Sequence, residues 1–170
     1  GGVGKTTAAN AIYNKIQHEF QFKCYLGDVS DTERRYGLVY LQTQLVSKIL
    51  KQTTIFQINS EGEGISVIKR RLQGRKVLIV IDNVDKVGQL NAIAGDCEWF
   101  GPGSIIIITT RDKHLLNQVR VNKRYPAEKM NKGEALELFS WHAFENNCPK
   151  EEYLELSKKV VSYCGGLPLA

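Results

Sequence analysis

The sequence predicts an α/β fold built on a doubly wound parallel sheet, and three observations carry that prediction. First, the runs VLIVI (Val77 to Ile81) and IIII (Ile105 to Ile108) are short, β-branched and not alternating, as strands buried on both faces of a parallel sheet should be. Second, helical patterns separate these runs, and strand-then-helix repetition is the mark of parallel α/β construction. Third, from Asn131 onward the pattern is helical throughout. Residues 1–127 therefore read as an α/β domain, and 128–170 as the start of a small helical domain.

Each element has its own warrant. The glycine-rich GGVGKTT leads into a helical pattern over Lys5 to Glu19, and KCYLGDV (Lys23 to Val29) reads as a strand. Helices are expected at about Leu38 to Lys51, Ile65 to Leu72, Gly88 to Ala94 and Lys113 to Val119. A short strand near Tyr125 would lie at a sheet edge, where Pro126 is tolerated. Asn131 with Glu134 three residues on has the spacing of a capping box, followed by Leu136, Phe139 and Ala143 at helical intervals. A second helix over residues 150–164 places Leu156, Val160 and Cys164 on one face and stops at Gly165 and Gly166. Pro168 then suits the first turn of a further helix.

The chain begins and ends inside motifs and reads as a piece of a longer protein. A strand should precede the glycine-rich loop and lie beside the IIII strand. Without it that edge is expected to be unpaired and the piece alone marginal or aggregation-prone.

Composition narrows the class. The 170 residues are 42% hydrophobic and 24% charged, which fits one soluble globular unit. No stretch approaches the roughly 18 apolar residues of a membrane span, and no secretory pattern opens the chain. The four cysteines, Cys24, Cys97, Cys148 and Cys164, form no CxxC pair and read as reduced structural thiols of a cytosolic or nuclear protein. The net charge of +5 would admit nucleic acid as a partner. Its densest source, IKRRLQGRK, carries no interleaved aromatics for base stacking and reads as a solvated face.

Three segments carry chemistry. GGVGKTT supplies the end of a P-loop: Gly2, Val3 and Gly4 turn backbone N–H groups toward phosphates, Lys5 reaches the β and γ phosphates, and Thr6, followed by Thr7, offers a hydroxyl to Mg²⁺. Asp82, delivered by a buried strand to the end where such sheets bind ligands, is the expected metal-side acid. Asp85, just before a helix, is a candidate cap. Beyond the second strand, Thr109 and Thr110 lead to Arg111, whose guanidinium suits a γ-phosphate oxygen. His18, His114 and His142 stand at no metal or triad spacing.

In order, these motifs resemble the NB-ARC nucleotide-binding module of plant immune receptors of the nucleotide-binding, leucine-rich-repeat type. GGVGKTT is similar to the family's P-loop, VLIVIDNVD to its Walker B strand, GPGSIIIITTRDKHLL to its sensor strand, EALELFSWHAF to the helix that follows, and GGLPLA to its GLPL motif. Asp85, GLVYLQTQLVSKIL and FSWHAF resemble the branch with an N-terminal TIR domain. The resemblance implies a P-loop NTPase fold with its first strand lying before this sequence. It also implies ADP/ATP and Mg²⁺ as cofactors of a switch held by ADP at rest and by ATP when signalling and self-assembling. Pro168 is implied beside the adenine, with intramolecular contacts to TIR, winged-helix and leucine-rich-repeat regions. Two departures stand out: Asn83 where the family usually has a second acid, and Ile105 where it usually has Arg. Asn orients a water but accepts no proton as a carboxylate does, so hydrolysis is expected to be slow, with Asp82, a weakened Asn83 and Arg111 as its residues. Replacing Asn83 by Asp is then expected to speed it.

Two other classes compete, a P-loop ATPase, kinase or GTPase of another family and a nucleic-acid-binding module. A GTPase would show NKxD, whereas the NK pairs here continue NKRY and NKGE. A small-molecule kinase would show an Arg-rich lid, and none is evident. A nucleic-acid-binding module would rest on net charge alone.

Overall fold

The computed structural model describes residues 2–51 and 57–168. They fall into two compact units, Thr6–Lys123 and, separately, the residues up to Lys5 with those from Arg124 onward.

The larger unit is an α/β layer structure. Strands β1 (Phe22–Leu26), β2 (Val77–Val84) and β3 (Ile105–Thr110) form a parallel sheet in the order β1-β2-β3. The chain also forms helices α1 (Lys5–Ile16), α2 (Val29–Tyr36), α3 (Leu38–Leu50), α4 (Glu61–Leu72) and α5 (Val87–Ala94). The register sets Phe22 opposite Val77 and Leu26 opposite Ile81, then Leu78 opposite Ile105 and Ile81 opposite Ile108. One pleat of the sheet, with Cys24, Leu26, Ile79 and Ile81, joins a core cluster with Leu41, Leu45, Ile49, Ile68, Leu90 and Ile93 from α3, α4 and α5. Leu78 and Val80 are as completely buried but lie outside that cluster, on the opposite pleat. There α1 meets the sheet, with Tyr13 packed edge-on against Tyr25 at 5.6 Å. Helices on both pleats make the sheet doubly wound.

β2 is the central strand, and all its residues except Asn83 are buried. It runs to Val84, past the expected end at Ile81, through an irregularity between Ile81 and Val84. Ile79 and Ile81 share the core pleat at the strand's period of two, yet Val84, three residues beyond Ile81, joins the same cluster. One extra residue is needed to put it there, and Asn83 supplies it with a left-handed backbone at φ 59, the geometry of a β-bulge.

β3 has the open edge expected of the IIII strand. It lies at an edge of the described sheet, so β2 covers it from one side only; Ile105 is 40% exposed and only Thr109 is buried. The expected helix over Lys113–Val119 reduces to a 3-10 turn at Leu115–Asn117. Asp112 takes the His114 N–H on its side chain at 2.8 Å, a local alternative to helical bonding. No strand forms near Tyr125 among the described residues, since the segment is exposed and has no sheet neighbour to pair with. One helix was not expected: α2 buries only Val29 and Ser30 and so has no apolar repeat to read.

The basic run at the end of α4 meets aromatic rings from other segments. Lys69 lies over Trp99 at 5.0 Å, Arg75 over Phe22 at 4.5 Å and Lys76 over Phe20 at 4.6 Å, contacts in which the ring quadrupole attracts the cation. Of the four cysteines only Cys24 is buried; Cys97 and Cys148 are exposed free thiols. Among the described residues no helix is long and apolar enough to cross a membrane.

In the smaller unit α6 (Lys132–Phe144) packs against α7 (Leu154–Cys164). Asn131 caps α6 through the expected box, accepting from the Glu134 N–H at 3.0 Å while Glu134 accepts from the Asn131 N–H at 2.9 Å. The buried stripe of α7 is turned by one position from the expected one: Ser157 and Val161 are buried, whereas Leu156 and Val160 are exposed. α6 buries Ser140, whose hydroxyl bonds back to Leu136 O at 2.6 Å, and Ala143 is exposed. Leu138 and Phe139 of α6 are half-buried and line one cavity with Val161 and Cys164 of α7. Gly166, at φ 76, comes so close to the Met130 carbonyl that a Cβ there would collide with it, and Met130 N donates to Gly166 O at 2.9 Å. The helix expected to follow Pro168 lies outside the described residues.

Candidate functional site

In the larger unit, side chains converge at the carboxyl end of β2. Thr6, in the first turn of α1, donates its hydroxyl to Asp82 at 3.0 Å from Oδ1 and 3.1 Å from Oδ2, across 76 residues of sequence. Asp82 is 5% exposed, so its carboxylate requires partners. A second comes from β3, where Thr109 Oγ1 donates to Asp82 Oδ1 at 2.6 Å. The same hydroxyl accepts the Asn83 N–H at 2.9 Å, and so anchors both the acid and the bulge beside it. Thr110 Oγ1 donates to Val84 O at 2.7 Å, replacing the backbone pairing that the bulge disrupts.

Around this core lie groups with different duties. The Tyr25 hydroxyl is buried without a hydrogen-bond partner among the described residues; burial, and after it the negative charge of Asp82, push its phenol above the ordinary range. Asn83 is half-buried and donates Nδ2 to Asp28 Oδ1 at 2.7 Å. Arg111 follows β3 directly, is exposed, and makes no ion pair among the described residues.

Asp85 is not the helix cap that its position suggests, because Lys86 holds the N-cap position of α5. Its carboxylate accepts from Ser30 Oγ at 2.6 Å and from Gln89 Nε2 at 2.7 Å. The Ser30 bond, ahead of the Gln89 bond and the Lys86 and Arg34 charges, holds the Asp85 carboxyl below its usual range against the opposing effect of burial. Glu33 is likewise depressed, first by the Lys86 bond at 2.8 Å and then by Gln89. These contacts tie α2 to the segment that follows β2. Sequence reasoning missed Asp28, Ser30 and Glu33; the signal was present in Asp31, Arg34 and Arg35 at helical charge spacing, realised as the Arg35–Asp31 pair at 2.7 Å.

In the smaller unit, Gly2 at φ 81 and Gly4 at φ 88 adopt backbones suited to glycine, which turn successive N–H groups to one side. A Cβ on Gly4 would stand 4.0 Å from Pro168 Cγ, so these distant motifs are neighbours. Val3 and Lys5 are half-buried, and Lys5 begins α1 without an ion-pair partner among the described residues. Thr7, in the larger unit, is exposed.

The chemistry of the donor set fits a hard divalent cation. Thr6 offers a hydroxyl and Asp82 a carboxylate, both oxygen donors. No group of three His, Cys, Asp or Glu that could hold a metal occurs among the described residues. Such a pair suits Mg²⁺, which takes one or two protein oxygens and completes its octahedron with water and phosphate.

Comparison with known proteins assigns the lineage. A family model described as the NB-ARC domain matches residues 1–149. The chain is 45% identical over 170 residues to Disease resistance protein RUN1 of Vitis rotundifolia, covering 100% of this chain and 13% of that protein. It is 44% identical to Disease resistance protein RPV1 of the same species over 100% of this chain and 12% of the relative. It is 41% identical to TMV resistance protein N of Nicotiana glutinosa over 100% of this chain and 15% of the relative. The chain thus spans a small fraction of the length of the curated relatives it matches. On the family match and these identities, the chain belongs to the NB-ARC domain family and is homologous to plant disease-resistance proteins of the TIR-type nucleotide-binding leucine-rich-repeat class.

Proposed function

We propose that the chain is the ADP/ATP-binding switch module of an intracellular plant immune receptor, which controls defence signalling by nucleotide exchange and hydrolyses ATP slowly. The observation that carries this reading is the meeting of Thr6 and Asp82, since a hydroxyl directly after a P-loop lysine and a strand-end acid are the two protein oxygens that a Mg-nucleotide requires. When bound, Mg²⁺ neutralises charge on the β and γ phosphates. Lys5 holds those phosphates, aided by the N–H groups of Gly2, Val3 and Gly4 and by Thr7. Arg111 senses the γ-phosphate, and Pro168 packs beside the adenine. The α/β domain at 1–127 and the helical beginning at 128–170 are the parts whose relation the nucleotide changes. TIR, winged-helix and leucine-rich-repeat regions are its intramolecular partners, self-assembly is the ATP-state output, and the cytoplasm, with the nucleus, is its compartment.

The test is to purify the full-length receptor and release its bound nucleotide with acid for chromatography. An adenine nucleotide near one per chain is expected, lost in Lys5→Ala and weakened in Asp82→Ala. Guanine nucleotide, or none, overturns the reading.

A further inference from the structure

The contact between Asn83 and Asp28 is unusual on three counts. It is short for a solvent-exposed contact, 2.7 Å from Nδ2 to Oδ1, and joins a carboxylate to a neutral amide, the charge-assisted kind of hydrogen bond. Both residues are left-handed, at φ 46 for Asp28 and φ 59 for Asn83, and they are two of the four such non-glycine residues in the described chain. Asp and Asn tolerate such backbones better than other non-glycine residues because their short side chains find a polar partner, and here each is the other's partner. Finally, Asp28 is the N-cap residue of α2 yet makes no capping bond. An aspartate there ordinarily stabilises its own helix through such a bond. This carboxylate instead reaches across to β2.

The amide is thereby held at both ends of the residue. Its N–H group is fixed on Thr109 Oγ1 and its Nδ2 on Asp28, while Oδ1 accepts no hydrogen bond among the described residues. The free oxygen of a fixed amide is a directional acceptor for one water.

We propose that Asp28 is the positioning residue for Asn83. Its carboxylate fixes the amide so that Oδ1 orients the water that attacks the γ-phosphate, and the negative charge missing from this strand end stands one hydrogen bond away, on the β1–α2 connection. The proposal rests on the nucleotide-switch reading above. In the step itself the water oxygen bonds to the γ-phosphorus as the bond from that phosphorus to the β,γ-bridging oxygen breaks. The proton passes to the released phosphate, and none passes to Asp28.

The pair changes what Asn83→Asp should do. The new carboxylate would face that of Asp28 at hydrogen-bonding distance, where two like charges oppose each other's ionisation. A gain in rate therefore requires Asp28→Asn as well, which re-forms an amide–carboxylate pair with its polarity reversed.

The experiment compares the full-length protein with Asp28→Asn, Asn83→Asp and the double variant, measuring ATP affinity and single-turnover hydrolysis separately. Asp28→Asn should slow hydrolysis about tenfold through misorientation, with affinity changed by less than about threefold. Asn83→Asp alone should be no faster than the parent. The double variant should exceed the product of the two single effects by about tenfold or more, a coupling of about 1.4 kcal/mol. Should Asn83→Asp fail to fold, Asn83→Ala replaces it, and on that background Asp28→Asn should have no effect. Multiplicative rates, or faster hydrolysis by Asn83→Asp alone, overturns the proposal while leaving the switch reading intact; no measurable turnover in any form overturns the proposal and the slow hydrolysis of that reading, but not nucleotide binding. A parent protein that binds no adenine nucleotide overturns both.

Discussion

Replacing Thr109 by valine removes one hydroxyl while keeping the shape of a buried side chain. Thr109 is 8% exposed, and its Oγ1 donates to the Asp82 carboxylate at 2.6 Å and accepts the Asn83 N–H at 2.9 Å. A hydrogen bond to a charged group contributes about 1.5 to 3 kcal/mol, and an orphaned buried donor costs about 1 to 3 kcal/mol. Asp82 retains Thr6, and water reaches half-buried Asn83 in part, so the low end of both ranges applies. The expected loss is about 2.5 kcal/mol, or roughly 5 to 10 °C in melting temperature for a domain of this size. Thr109→Ser keeps the hydroxyl and loses one methyl, about 1 kcal/mol. Urea unfolding of the three forms gives the energies, and amide hydrogen exchange at Asn83 reports the lost bond directly. Equal destabilisation by valine and serine, or unchanged protection at Asn83, would refute the reasoning.

Gly64→Ala should destabilise by about 1 to 3 kcal/mol through overpacking, although alanine is the better helix former by about 1 kcal/mol. Its Cβ would collide with the side chain of Gln42, which is fully buried and donates to Glu61 O and Ala92 O; a denaturant midpoint at or above the parent's would contradict this. The carboxyls of Asp85 and Glu33 are both depressed in the folded chain, so the stability they contribute is present above the ordinary carboxylate range and lost as pH falls through their folded values. Melting temperature should therefore fall more steeply below about pH 4 in the parent than in an Asp85→Asn, Glu33→Gln variant. The difference is held to about 1 kcal/mol by solvent screening, and parallel curves count against the link between α2 and β2. Burial, partly offset by Lys48, pushes the Cys24 thiol up to about 12, leaving about 10⁻⁴ of it ionised at pH 8. Iodoacetamide should modify Cys97 and Cys148 in the native protein and spare Cys24, as peptide mass mapping would reveal.

The parts of the fold visible in the sequence were those whose cause is local. β2 was legible because a strand buried on both pleats must be continuously apolar, and α6 because Asn131 and Glu134 satisfy each other's backbone. Thr6 and Asp82 were legible as a pair because motif chemistry brings them together whatever lies between. The rest depends on tertiary context. How far the open edge of β3 exposes its side chains is one such case: Ile105 is 40% exposed although the run has the composition of a buried strand. The stripe of α7 could not be placed within one residue, since Leu156 and Ser157 head equally regular helical series and the fit against α6 decides between them. α2 has no apolar period at all; ion pairs and the contact of Ser30 with Asp85 hold it. Asp28 was invisible as a partner of Asn83 because the bond spans 55 residues and depends on two backbone conformations that no pattern announces.

The rings beneath Lys69, Arg75 and Lys76 affect how a charge scan of this surface should be read. Phe20 is 4% exposed with Lys76 above it, so the lysine's methylene stem and ammonium serve as the aromatic's roof. Reversing that charge to glutamate sets a carboxylate against the negative face of the ring, and truncating it to alanine opens the ring to water. Either change weakens the fold beneath the basic run. A survey that neutralised these residues to look for an acidic ligand would record lost stability as lost binding, unless each variant's melt were measured beside its affinity.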